Sequence, residues 1–378
     1  MTAVVKLNFS GINFDSVHPS GIVQVGISTL TAKIALAVLV SAIAAARLSA
    51  DDLIDRKGST SPLRGDVTEI SRTEVLLKGR NNQREYRIPA NEIERVRWQG
   101  ENPQLTQVRV EERNGQFDKA IAGYEAALKD SPSENLTTDL QFLIARATAS
   151  KALANEENYD DAIQRLEKFR TAHSRSFHYF ESLKLLARLY MSKPDVEHAN
   201  ATMKLLSEAP WNDFKMEADN LQARVELAND HVDAALAALD KVISVKPTSP
   251  AEWSRRYEAL LTKAACLQKQ SKFQDAIDVL TNILDEAADD DTKTLAETCV
   301  RLGDCYQAAG RTKEAILAYL RVDILFPKEK THHAEALYYL SRLFAQDGKF
   351  DKAADAQARL QQSYPRSSWT AKLTVAPK

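Results

Sequence analysis

Apolar and small residues recur in one register along the C-terminal three-quarters of this chain, seven times over. An aromatic or aliphatic residue, or Thr312 in the sixth copy, is followed three places later by Ala, then by large or apolar residues seven and ten places on. The clearest copy runs Phe117, Ala120, Tyr124, Ala127, and the last runs Phe350, Ala353, Gln357, Leu360. Steps of three and four place such residues on one face of a helix. Four copies add Pro fifteen places on, at Pro132, Pro247, Pro327 and Pro365, where it stops the helix. The alanines stand at 120, 162, 199, 235, 276, 315 and 353, a period of 36 to 42 residues. Helix-pair repeats occupy this range. Each motif marks the trailing helix of a pair. The leading helix carries a small residue at Ser150, Ala187, Ala223, Ala264, Gly303 and Ser341, which lets two helix backbones approach.

Residues 51–100 follow a different pattern. Leu63–Ile70, Glu74–Lys78, Arg84–Ile88 and Ile93–Trp98 alternate polar and apolar positions between Gly, Asn and Pro breaks. This predicts short strands in a small antiparallel sheet or barrel. Before them, Lys33 precedes about 13 apolar residues, Ile34 to Ala46, ending in Ala44-x-Ala46. That pattern reads as a signal peptide over about 33–46, cleaved after Ala46 or Ala50. It is short of the roughly 20 residues that span a bilayer. Residues 1–32 precede it without a clear element, and the first segment is expected to lie outside the working protein. The expected organisation is therefore 1–50 extension and signal, 51–100 strand module, 104–369 helical solenoid and 370–378 tail.

Composition changes this picture little. The chain has 378 residues with a net charge of −2, so no bulk attraction to nucleic acid or anionic membrane is implied. A solenoid tolerates this length because each repeat touches only its neighbours. Cys266, Cys299 and Cys305 fall inside predicted helices, and are expected as buried small hydrophobes rather than a disulfide framework. The module's arginines, among them Arg64, Arg72, Arg80, Arg84, Arg87, Arg95 and Arg97, are offset by carboxylates, and only Tyr86 and Trp98 could stack a base.

The seven motifs together resemble the tetratricopeptide repeat family, over roughly residues 104–369. The third copy departs most, with Pro194 where the family has Gly and Trp211 in place of the closing Pro. The strand module resembles a small SH3-like or Sm-like barrel through Arg64-Gly65-Asp66-Val67 and the corner Ile88 to Ile93. The expected fold is mainly α: a solenoid of about seven helix pairs preceded by a small all-β module.

The resemblance implies that the leading helices line a concave face and that their second, fifth, ninth and twelfth positions point into it. At those positions the chain has Glu181, Glu217, Glu258, Glu297 and Glu335, then Lys184, Arg188, Asn220 and Arg224 as a basic-polar patch. Guanidinium groups there would suit a carboxylate or acidic peptide. Leu261, Val300 and Tyr338 would continue as an apolar strip, with Arg342 beyond. The alternative is that each Glu pairs with an Arg of the next repeat as a solvated salt bridge.

No phosphate loop, His-Glu-x-x-His, Cys-x-x-Cys or nucleophile elbow occurs in the sequence, and no catalytic residue, cofactor or metal is expected. His173, His178, His332 and His333 are expected at the surface, and Asp289 to Asp291 as a helix cap. The leading expectation is a non-enzymatic, periplasmic or secreted scaffold of the bacterial cell envelope that binds other proteins or peptides. Two alternatives stand beside it. One is a binder of cell-wall glycan or anionic polymer. The other is a cytoplasmic scaffold with a nucleic-acid-binding module.

Overall fold

The computed structural model describes residues 51–80, 83–131 and 133–374. The segment expected as a signal peptide, its expected cleavage site and Pro132 lie outside the described residues. From Asp51 onward the chain forms one compact unit.

Five strands open it: β1 Asp52–Arg56, β2 Leu63–Ile70, β3 Glu74–Lys78, β4 Glu85–Pro89 and β5 Ile93–Arg97. All pair antiparallel in the order β4-β3-β2-β1-β5. A 3-10 turn, Ala90–Glu92, leads from β4 into β5. The sequence reading missed β1, which lies between β2 and the edge strand β5. Its five residues carry one fully buried side chain, Ile54, too little for an alternation signal. Gly65 is required where β2 crosses β3, because a Cβ there would lie 2.2 Å from the Lys78 carbonyl oxygen.

Seven helix pairs follow. They are α1 Leu105–Arg113 with α2 Phe117–Lys129, α3 Glu134–Asn155 with α4 Tyr159–Ala172, and α5 Tyr179–Ser192 with α6 Val196–Ser207. Next come α7 Asn212–Ala228 with α8 Val232–Ser244, and α9 Pro250–Lys269 with α10 Phe273–Glu286. The last two are α11 Thr292–Ala308 with α12 Thr312–Leu325, and α13 Lys330–Gln346 with α14 Phe350–Ser363. A short helix α15, Ser368–Thr374, packs on α13 and crosses the boundary expected at 369.

The local causes are visible. Ser133, Ser249 and Asp291 accept a backbone N–H at the start of α3, α9 and α11, satisfying donors a helix start leaves open. In pairs one and four to seven the chain turns between the helices through positive φ at one register, five residues before the motif Ala. Gly115, Gly310 and Gly348 supply it at φ 74, 74 and 72°, and Asp230 and Ser271 at 67 and 59°. The motif alanines are buried in every pair, as are Tyr124 and Tyr319. Gly303 is small for a measurable reason, since a Cβ on it would sit 2.5 Å from the Tyr319 ring.

Successive leading helices pack on one another, whereas trailing helices pack mainly on leading ones. The leading helices therefore form the inner wall of the solenoid and the trailing helices its outer ridges. One continuous apolar cluster runs from Ile54 in β1 through Trp98 and Leu105 to Val225 in α7, and three smaller clusters fill the remaining pairs. The module is joined to more than the first pair. Arg72 donates to the Ser174 carbonyl at 2.5 Å and lies over the Tyr179 ring at 4.3 Å. Asn91 donates to Asp213 at 3.2 Å.

Two histidines differ from expectation. His178 bonds Asp139 at 2.7 Å and stacks on Phe142, and burial pushes its pKa down. His333 is buried between Asp323, at 2.8 Å, and the Tyr364 hydroxyl, at 2.7 Å. Both partners come from other helices or turns, so local sequence carried no sign of them. Cys266, Cys299 and Cys305 are buried free thiols.

Candidate functional site

A cavity of about 470 Å³ opens on the inner wall across α5, α7, α9 and α11. Arg188, Asn220, Arg224 and Leu261 line it together with Glu217, Glu258, Glu297 and Arg301. The helical period accounts for the grouping. Glu217, Asn220 and Arg224 lie three and four residues apart on α7, and Glu258 and Leu261 repeat the first step on α9.

Its electrostatics centre on one buried carboxylate. Glu217 is 2% exposed and holds Arg188 at 2.6 Å from one side and Arg255 from the other. Arg255 also meets Glu258 at 2.5 Å. Arg301 bridges Asp304, at 2.6 Å, and Glu335, at 2.9 Å. Burial is the largest influence on both carboxyls and raises their pKa despite Arg301. Glu217 and Glu335 thus take arginines from adjoining repeats, as the plainer sequence alternative supposed, whereas Glu258 meets an arginine of its own helix. Their pairing is more buried than that alternative allowed.

Two groups in the cavity are uncommitted. Arg224 is exposed and makes no ion pair or hydrogen bond among the described residues. Asn220 is 3% exposed; its Nδ2 donates to the Arg255 carbonyl at 2.8 Å, and its Oδ1 is buried without a hydrogen-bond partner. The wall offers an unpaired guanidinium next to the apolar surface of Leu221, Leu227 and Leu261.

The other expected site residues lie elsewhere. Lys184 pairs with Glu181 at 2.8 Å, outside this cavity. The Glu181 carboxyl is raised by burial but drawn further down by Lys184, to about 2. Val300 is fully buried in the core of the last pairs and presents no groove surface. Tyr338 is nearly buried, with its ring 5.2 Å from that of Trp369 on α15 and its hydroxyl accepting from Arg342 at 2.8 Å. The apolar strip expected over Leu261, Val300 and Tyr338 is therefore discontinuous. The sequence reading also missed Arg255 and Arg301, which stand off the second, fifth, ninth and twelfth positions that guided it. In the module, Arg80, Arg87, Arg95 and Arg97 all hold carboxylates, and Trp98 is buried.

Residues 301–368 match the tetratricopeptide repeat family. No curated protein matches the sequence. Among solved structures the chain is similar to a tetratricopeptide repeat protein from Parabacteroides merdae, at 15% identity and a TM-score of 0.49, covering 71% of this chain and 95% of that one. It is also similar to PilW, a type IV pilus biogenesis factor, at 18% identity and a TM-score of 0.43, covering 61% and 97%. The apo form of RapI aligns at 13% identity and a TM-score of 0.49, covering 71% and 78%.

Proposed function

We propose, from the premise that this chain is built of tetratricopeptide repeats, that it is an exported scaffold of the bacterial cell envelope. Its protein partners would dock on the inner wall of pairs three to six. Repeats of this class are generally non-catalytic and their fold favours protein–protein contacts. The observation that carries the docking reading is the open cavity holding an unpaired Arg224 beside the unsatisfied Asn220 Oδ1. The cavity balances Arg188, Arg224 and Arg301 against Glu217, Glu258 and Glu297. That balance suits a peptide carrying both kinds of charge better than a uniformly anionic polymer. The apolar run Ile34 to Ala46 supports export.

Arg224→Glu is the informative variant, because reversing Arg188 would also face the buried Glu217 with a like charge. In-cell crosslinking on an envelope fraction should yield a dominant protein joined to α7 and α9, and lose it in the variant with melting unchanged. Crosslinks indifferent to Arg224 would dismiss docking at this wall. Sequencing the N-terminus of the mature chain tests export separately, with Arg47 or Asp51 expected as the first residue.

A further inference from the structure

The outer ridge of pair six differs from every other ridge in the molecule. On α12, Leu317, Ile324 and Leu325 are 62%, 69% and 59% exposed. In the other six pairs the register of Leu317 holds Ala, Gln or Asp, and that of Ile324 holds Lys, Thr, Glu, Ser, Asp or Gln. The register two residues before the motif Ala is acidic in five of those pairs and Gln in the sixth; in pair six it is Lys313. Lys313, Leu317, Arg321 and Ile324 follow one another at steps of three and four, so they share one face of α12 with Leu325 at its edge, and Lys328 lies in the turn just beyond the helix. All are exposed. Lys313, Arg321 and Lys328 make no ion pair or hydrogen bond through their side chains among the described residues, while cations on the inner wall are largely spent on carboxylates. The one acidic residue that opens this helix, Glu314, is held by Arg311 at 3.0 Å.

We infer that the α12 ridge docks on an anionic lipid surface. Three protruding aliphatic side chains can enter the boundary between headgroups and acyl chains, while the lysines and arginine extend along it to lipid phosphates. The ridge is convex and its polar neighbours along the stripe are basic, which fits a flat, negatively charged sheet rather than a peptide needing a groove. Asp278 and Asp285 on the outer face of α10 are exposed and confine the contact to this single helix. Binding is therefore expected to be shallow, reversible and weakened by salt. It is a local property that the near-neutral net charge conceals.

The test is flotation of the full chain with vesicles of phosphatidylcholine alone or mixed with phosphatidylglycerol. The chain is compared with a Leu317→Ser, Ile324→Ser variant and a Lys313→Gln, Arg321→Gln variant. These side chains are exposed, so melting should be unchanged. Any contribution of residues 34–46 is the same in all three chains. The expected result is association that requires phosphatidylglycerol, is lost in the serine variant, and falls about five-fold for each cation removed. Association indifferent to both variants, or none, overturns the inference. So does a concentration-dependent dimer abolished by the serine changes without lipid binding, which would assign the ridge to a second copy.

Discussion

Single side chains set the tolerances of this solenoid. Gly303 faces the Tyr319 ring so closely that Gly303→Ala must displace it or strain the Tyr319–Asp304 hydrogen bond of 2.7 Å. Overpacking of this kind costs about 1–3 kcal/mol, more than the helix propensity Ala returns, and a lowered denaturant midpoint is expected. Asp323 gives a pH-dependent counterpart. Burial would raise its pKa, but His333 and Arg359 hold it down at about 2, against 3.8 ordinarily. The depressed value means its stabilisation is complete above pH 3.8 and is lost as pH falls towards 2. A gap of nearly two pKa units corresponds to about 2 kcal/mol. Asp323→Asn should be less stable at neutral pH and converge on the parent chain at the acid end of a stability–pH series. Of these two features the sequence revealed one. Gly303 stood in a register that demands a small residue. Asp323, His333 and Arg359 belong to three helices and meet only after folding.

At the level of helices and strands, the repeat register was legible because packing a helix on its neighbours forces apolar residues to steps of three and four. The turns show the same register through backbone conformation. Asp230 and Ser271 occupy left-handed positions that Gly115, Gly310 and Gly348 occupy without penalty. Left-handed geometry costs a non-glycine residue roughly 1–2 kcal/mol. Asp230→Gly and Ser271→Gly are each expected to raise the melting temperature, Asp230→Gly less because its side chain also meets Lys269 at 2.6 Å. Strand β1 was not legible, since a short strand with one buried side chain leaves no periodic trace. The groove was legible as positions and opaque as chemistry. Arg188, Asn220, Arg224 and Leu261 converge as the repeat geometry requires. Which of them is already engaged depends on Glu217 and Arg255, residues contributed by adjacent repeats.

For the whole molecule, the strand module acts as a clamp across several pairs. Its contacts to Ser174, Tyr179 and Asp213 join segments about a hundred residues apart, a separation at which local pattern says nothing. Arg72→Ala removes a hydrogen bond and a cation–ring contact together. Hydrogen exchange followed by mass spectrometry should then show faster exchange in β3, β4 and the start of α5, with α12 to α14 unaltered. Uniform acceleration along the chain would mean that the module stabilises the solenoid as one cooperative body instead.

The three buried thiols have a consequence for the chain's history as well as its stability. Burial raises the pKa of all three, Cys305 to about 11, so the folded protein holds almost no thiolate to oxidise. In the oxidising compartment proposed here, only an unfolded or half-folded chain could join two of them. Such a bond would be a lasting record of slow folding in pairs five and six. The fraction of molecules found cross-linked would then measure how promptly those pairs close after the chain arrives.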